Sequence, residues 1–124
     1  MKLRPMMMSD AKLMLKWKNY PETRKFAIAS HKKIKWTDHL KWLKKNIQYF
    51  QIINNGQGAV RVQNKEVSIW IDKKFWGQGL AKEAVKLVSK KGYTATIVEG
   101  NRASQQVFIN AGFEPIYTIW KKSF

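Results

Sequence analysis

The hydrophobic periodicity of this chain changes near its middle, and that change sets the fold. Between residues 49 and 72, apolar and polar residues alternate in three runs, 49–54, 59–63 and 66–72. Alternation with period two is typical of β-strands. The short turns between the runs, Asn55-Gly56-Gln57-Gly58 and Asn64-Lys65, suit antiparallel neighbours. The runs therefore predict a three-stranded antiparallel meander.

Helical spacing predicts helices on both sides of the meander. A strand at 2–6 precedes a helix that begins after Ser9 and ends at Pro21, and a second amphipathic helix begins near Thr37. After the meander we expect a helix from about Leu80 to Gly92, a strand at 93–98, a helix at 103–111 and a strand at 115–120. The order β-α-α-β-β-β-α-β-α-β predicts an α/β fold, with helices on the faces of a mixed sheet.

Length and composition limit the classes of function. A chain of 124 residues fits one compact domain spanning 1–124, and the absence of cysteine excludes disulfides and thiolate metal sites. We expect no metal site, since the two histidines have no ligand cluster around them. No apolar run is long enough for a signal peptide or a membrane span, so the expected location is cytoplasmic, without a membrane partner.

The net charge is +16, from 24 basic and 8 acidic residues. So positive a field concentrates anionic ligands and favours phosphate-rich partners. The lysines are spread along every segment without a dense basic block, which favours general anion attraction over dedicated nucleic-acid binding.

A glycine turn leads from the meander into the next helix. In Trp76-Gly77-Gln78-Gly79-Leu80-Ala81, two glycines allow several N–H groups to converge at a helix N-terminus, which favours a phosphate. Alone, such a turn also fits a dinucleotide site or a simple tight turn. A dinucleotide site would want a third glycine and strict βαβ alternation, and neither follows here.

The turn resembles the acyl-CoA signature of the GCN5-related N-acetyltransferases (GNAT), with Trp76 in place of the usual Arg or Gln. Trp-Gly-x-Gly followed by Ala81-Lys82-Glu83-Ala84 is similar to the branch that acetylates ribosomal proteins. Asn101-Arg102-Ala103-Ser104, followed by Gly112-Phe113, resembles a second family signature. The resemblance implies that acetyl-CoA, a co-substrate, is held by backbone groups of Ile69 and Ile71, by the turn from Trp76 to Ala81, and by Asn101 and Ser104. A helix N-cap is the alternative role for Asn101.

The N-terminal third looks like enzymes that acetylate an amino sugar carried on a nucleotide. The residues concerned are Trp17-Lys18-Asn19, Pro21-Glu22-x-Arg24 and His39-Leu40-Lys41-Trp42. That resemblance implies acceptor contacts from Trp17, Asn19, Arg24 and His39. The alternative is that the aromatic residues at helical spacing are core residues.

For catalysis, the resemblance implies direct transfer to an amine, with Glu66 as the base and Glu99 as the second choice. A carboxylate in so positive a field is stabilised in its charged form, so an orienting role is the alternative for Glu66. Phe108 stands where family members often have a tyrosine that protonates the leaving thiolate.

Three hypotheses follow. The first is an N-acetyltransferase that acts on a small or nucleotide-linked primary amine, as a monomer or homodimer. In the second, the same chemistry acts on a macromolecule, a ribosomal-protein N-terminus or an aminoacyl-tRNA, with RNA affinity supplied by lysine. The third is an acyl-CoA-binding module without catalysis, which the substitution at Phe108 favours.

Overall fold

The computed structural model describes residues 1–28 and 30–123. Within them, one antiparallel sheet contains four strands in chain order: β1 (Leu3–Pro5), β2 (Phe50–Ile53), β3 (Gly58–Gln63) and β4 (Glu66–Ile71). The α-helices of the same residues are α1 (Ala11–Lys18), α2 (Pro21–Lys25), α3 (Trp36–Asn46), α4 (Leu80–Val88) and α5 (Arg102–Asn110). Single 3-10 turns at Met8–Asp10, Ile47–Tyr49 and Lys73–Phe75 complete the order. The predicted α/β organisation is confirmed.

The meander follows the turn chemistry of the sequence. Asn64 and Lys65 both have positive φ, 51° and 63°, as a two-residue hairpin loop with right-handed twist requires. Gly58 opens β3 opposite Ile71, and a Cβ there would lie 2.4 Å from the carbonyl oxygen of Trp70. Only glycine lets the two strands approach so closely.

Alternate residues of each strand lie on opposite faces of the sheet, and both faces are covered by helices. One face packs against α1 and α3 in a cluster of Met6, Ala11, Met14, Trp17, Leu43, Phe50, Ile52 and Ala59. The other face packs against α4 and α5, with Val60, Val67, Val85 and Phe108 fully buried. Ala59 and Val60 are sequence neighbours in different clusters, because successive residues of a strand point to opposite faces.

Two predicted strands are not formed. Thr94 makes one parallel bridge to Glu66, after which segment 93–98 leaves β4. Tyr93, Ala95 and Ile97 instead pack against the second cluster. Segment 115–120 then has no strand beside it, and it is exposed, with Trp120 at 90%.

Three helix boundaries also differ from expectation. The predicted helix 80–92 ends at Val88, because Ser89 turns to an extended conformation while its hydroxyl donates to the Val85 carbonyl. The N-cap of α1 is Asp10 rather than Ser9. Pro21 begins the unpredicted helix α2, since a proline at the first helical position lacks only an N–H that would have no partner there. Among the described residues, no helix is long and apolar enough to cross a membrane.

Candidate functional site

The glycine turn lies between β4 and α4, as the sequence predicts. Gly77 and Gly79 both have φ of 78°, and α4 begins directly after them at Leu80. A Cβ added at either glycine would meet no atom within 4 Å, so the space above both is open. The first N–H groups of a helix have no partner within it. Those from Leu80 and Ala81 onwards, together with the helix dipole, offer an anion donors and a favourable potential.

Trp76 anchors the turn to the strand before it. Its indole Nε1 donates to the carbonyl of Ile71 at 2.8 Å, and its ring is 45% exposed. Gln78 is exposed at the tip of the turn. The carbonyl of Ile71 is therefore already bonded, so its N–H is the backbone group that it could offer a ligand.

An open strand edge lies beside the turn. Val67 donates its N–H to the carbonyl of Thr94 at 2.9 Å, so alternate residues of β4 direct their backbone groups away from β3. Ile69 is the next such residue, and within the described residues no backbone hydrogen bond satisfies it on that side. Among the described residues, segment 93–98 makes no backbone hydrogen bond to β4 after Thr94, so a stretch without backbone pairing, the gap, lies between the two at Ile69.

Asn101 caps α5. Its Oδ1 accepts from the backbone N–H of Ser104 at 3.3 Å, which confirms the N-cap role. The Nδ2 atom of Asn101 stays free of this bond. Phe108 lies further along the same helix and is 4% exposed. Its ring lies edge to face with that of Phe113, with the two centroids 5.0 Å apart. Phe108 is thus a core residue, with no atom that could carry a proton.

Glu66 lies in a polar cleft of about 270 Å³ lined by Arg61, Gln63, Asn64, Glu66 and Thr94. Its Oε2 accepts from the hydroxyl of Thr96 at 3.2 Å, and its Oε1 lies 3.7 Å from Nη2 of Arg61. These contacts engage both carboxylate oxygens at the first residue of β4, next to the bridge between Glu66 and Thr94. Glu99, the second choice for a base, is exposed in the loop before α5 and has no such partners among the described residues.

Trp17 and His39 are buried, which corrects their assignment as acceptor contacts. Trp17 is 1% exposed, and its Nε1 donates to Asp72 at 2.9 Å. His39 is completely buried, with Nε2 2.9 Å from the Ala11 carbonyl oxygen, and its ring stacks on Trp42. Burial lowers the pKa of His39, while the bond to Ala11 raises it and the charge of Lys18 lowers it further. Both side chains are core residues that an acceptor cannot reach.

Asn19 and Arg24 hold the loop between α2 and α3. The Asn19 amide both accepts from the N–H of Ile34 at 2.8 Å and donates to its carbonyl at 3.0 Å. The Arg24 guanidinium donates to the carbonyls of Ser30 and Lys32. These bonds shape the loop next to the site, so the two residues act as scaffold for any acceptor contact made there.

One basic residue that the sequence reasoning missed, Lys18, lies against Trp42. Nζ of Lys18 lies 3.5 Å from the centroid of the Trp42 ring. Burial, followed by the charges of Arg24 and Arg61, lowers the pKa of Lys18 to about 8. Lys18 stands inside the quoted segment Trp17-Lys18-Asn19, but helical spacing does not separate it from the other lysines of the chain.

The residues present fit acetyl-CoA. A pyrophosphate fits the open space over Gly77 and Gly79, and an extended amide chain fits beside the unpaired edge at Ile69. The acetyl end would then lie on the side of the gap where Glu66 is held. Asn101 lies at the start of α5, with Nδ2 free to donate.

Comparisons with known proteins agree with this geometry. The family model for the acetyltransferase (GNAT) domain matches residues 1–114, and a search of curated proteins finds no match. A solved domain from Methanocaldococcus jannaschii DSM 2661 is 26% identical, with a TM-score of 0.75 over 91% of this chain and 87% of that one.

Two more distant structures share the fold. Ribosomal-protein-alanine N-acetyltransferase from Brucella melitensis is 19% identical, with a TM-score of 0.68 over 92% of this chain and 85% of that one. AAC(6')-Ib, solved with paromomycin and acetyl-CoA, is 14% identical, with a TM-score of 0.66 over 95% and 85%. Since the family model covers residues 1–114 of 124, this chain belongs to the GNAT family of acetyltransferases.

Proposed function

We propose that this enzyme transfers the acetyl group of acetyl-CoA directly to the primary amine of a small or nucleotide-linked acceptor. The observation that carries the proposal is the pairing of an open glycine turn with an unpaired strand edge. Gly77 and Gly79 leave space at the start of α4, and Ile69 borders the gap between β4 and segment 93–98. In the proposal, the cofactor runs from the anion cradle along this edge of β4 towards Glu66 at the start of the strand.

Backbone groups do most of the binding in this proposal. The N–H groups at the start of α4 hold the pyrophosphate, and the carbonyl of Ile69 accepts a hydrogen bond from the pantetheine chain. The N–H of Ile69 is kept for the acetyl oxygen, where it would stabilise the negative charge that develops there. Nδ2 of Asn101 and the hydroxyl of Ser104 are candidate contacts from α5.

Glu66 is the proposed proton acceptor. The amine nitrogen forms a bond to the acetyl carbon while the carbon–sulfur bond breaks, and the amine proton passes to the Glu66 carboxylate, directly or through a water. The leaving thiolate takes its proton from water, because Phe108 has none to give, and Glu66 returns the amine proton to solvent, which restores the balance. Glu99 is the weaker candidate, since the described contacts leave it in an exposed loop without a partner.

A macromolecular acceptor is the second candidate, and the net charge of +16 favours it. The acceptor would be a ribosomal-protein N-terminus or an aminoacyl-tRNA, and the tRNA would bring phosphate groups close to the lysines. Binding of tRNA would then weaken steeply as salt rises, because each neutralised phosphate releases counterions. A gel-shift titration from low to physiological salt separates this candidate from the first: weak binding without preference for tRNA rejects it.

Thermal unfolding with acetyl-CoA tests the first candidate. A ligand at a hundred times its Kd stabilises the native state by about 2.7 kcal/mol, which raises the Tm of a domain of this size by roughly 10 °C. Absence of any shift with acetyl-CoA or CoA would reject the proposal.

Two glycine variants assign the binding to the turn. Gly79→Ala places a Cβ in the cradle, and Gly92→Ala is its matched control, with a φ of 89° and equally open surroundings. Both lose about 1 kcal/mol of stability, since alanine disfavours positive φ. Acetyl-CoA should stabilise Gly92→Ala fully and Gly79→Ala much less; equal stabilisation would place the ligand elsewhere.

A further inference from the structure

Lys18 is a half-buried cation without an ionic partner. It ends α1, and its Nζ lies over the ring of Trp42 at 3.5 Å from the centroid. Within residues 1–28 and 30–123, this Nζ makes no hydrogen bond and no salt bridge. The cation–π contact compensates part of the lost hydration, and the three ammonium donors stay available.

Arg61 supplies a second cation on the same face of the sheet. Its side chain is 23% exposed, its Nη2 donates to the hydroxyl of Ser68 at 3.0 Å, and its buried Nε has no partner. Phe50 lies opposite Arg61 in the sheet and packs edge to face on Trp42 at 5.5 Å. One aromatic layer therefore supports both cations.

Positive charge at this place exceeds the negative charge facing it. Arg24 and Arg61 are both close enough to Lys18 to act on its ionisation. Glu66 is the carboxylate paired with Arg61, at 3.7 Å. Its side chain is 40% exposed and also accepts a hydrogen bond from Thr96. Like charges on half-buried side chains repel one another, and an anion among them would relieve that repulsion.

The donors suit an oxyanion. Arg24 directs Nε and Nη2 to backbone carbonyls, so it contributes field rather than a direct contact. Lys18 offers a compact ammonium group, and Arg61 offers planar N–H groups that match phosphate geometry. Ser68 and Glu66, both in contact with Arg61, are alternate residues of β4 and share one face of it, which places Arg61 beside the proposed proton acceptor.

We propose that Lys18 and Arg61 form a subsite for a phosphate group on the acceptor amine, with Trp42 as its apolar floor. The inference rests on the proposed function for the acceptor, but the subsite itself can be tested without turnover. It narrows the acceptor to a phosphorylated amine and gives these two side chains a role in choosing it.

The experiment measures the stabilisation of the protein by inorganic phosphate, with saturating CoA present to occupy the glycine turn and with chloride at equal ionic strength as the reference. Lys18→Met keeps the apolar stem over Trp42 and removes the charge. Lys41→Met is the matched control, because it removes one charge from the exposed face of α3. Arg61→Gln is the second variant, in case Lys18→Met fails to fold.

We expect phosphate affinity to fall about tenfold in Lys18→Met and in Arg61→Gln, as for loss of one charge-assisted bond, and to stay unchanged in Lys41→Met. O-phosphoethanolamine should behave as phosphate does, and ethanolamine should bind no better than chloride. Equal affinity in wild type and Lys18→Met overturns the proposal, as does an equal loss in Lys41→Met, which would assign phosphate to the general field.

The two proposals fail separately. If CoA does not stabilise the protein, the proposed function fails, while a phosphate effect that depends on Lys18 still supports the subsite. If CoA stabilises and phosphate adds nothing, the subsite is rejected and the proposed function stands. Loss of tRNA binding in Lys18→Met with unchanged phosphate affinity would assign Lys18 to RNA and overturn the subsite.

Discussion

The indole Nε1 of Trp17 lies 2.9 Å from Oδ2 of Asp72, and this bond ties the last turn of α1 to the residue that follows β4. The other oxygen of Asp72 accepts from the N–H of Lys74, which starts the chain towards the glycine turn. Burial raises the pKa of Asp72, but the bonds from Trp17 and Lys74 and the charge of Lys16 outweigh burial and hold it below its usual value.

Trp17→Phe should therefore destabilise the protein. The change keeps an aromatic ring but leaves a buried carboxylate oxygen with one donor fewer, which costs about 1–3 kcal/mol. Urea unfolding measures the loss. Trp36→Phe is the control, since Trp36 is exposed and its indole has no described hydrogen bond. Equal losses in the two variants would contradict a specific role for the bond to Asp72.

Glu66→Gln should lower kcat by about 10²–10⁴-fold, as for loss of a general base, and leave KM for acetyl-CoA near the wild-type value. Thiol release with a reactive amine gives both constants. Glu99→Gln tests the second choice, and Glu114→Gln, far along the chain after α5, controls for loss of one negative charge. A larger fall in Glu99→Gln than in Glu66→Gln would exchange their roles.

Phe108→Tyr should lose stability without gaining activity. Phe108 packs among Val60, Val67 and Val85, so an added hydroxyl is buried without a partner and costs about 1–3 kcal/mol. Thermal unfolding and thiol release on the same sample measure both effects. A rise in kcat would show instead that the hydroxyl reaches the thiolate.

His39 should make stability depend on pH below about 6.5. Burial lowers its pKa below the usual 6.5, so the unfolded chain takes up a proton that the folded protein refuses. Stability is therefore full above pH 6.5 and falls as pH decreases, by up to about 1.4 kcal/mol per unit. The affected carboxylates, Asp10 and Asp72, titrate at lower pH and do not contribute in this window.

His39→Gln isolates this effect. The variant is less stable at neutral pH, because the bond to Ala11 is weakened, but its urea midpoint should stay flat as pH falls below about 6.5. His31→Gln, at an exposed position, should keep the wild-type slope. Persistence of the slope in His39→Gln would assign it to another group.

The parts of the fold that local chemistry decides were predictable. The meander follows from alternation and from turn residues such as Asn64, and the cradle follows from Gly77 and Gly79 before an amphipathic helix. The prediction of strands at 93–98 and 115–120 was wrong. Their residue patterns are typical of strands, but a strand forms only where another strand pairs with it. Segment 93–98 stops pairing with β4 after Thr94, and segment 115–120 then has no strand to pair with.

Side chains at helical spacing show a second limit of prediction from the sequence. Trp17 and His39 carry groups that could bind an acceptor, and the spacing that makes them helical is the same spacing that buries them. Lys18 is the converse. In the sequence, Lys18 looks like any other lysine on the surface of a helix, and only its packing against Trp42 distinguishes it.

Contacts from α2 reach the glycine turn. Lys73 pairs with Glu22 at 2.7 Å, and the rings of Tyr20 and Trp76 meet edge to face at 6.0 Å. A loop that is fastened before a ligand arrives loses less conformational freedom on binding, so the cradle is preorganised. Weakening these contacts should slow the binding of CoA and speed its release, so we expect α2 to affect how long the cofactor stays bound.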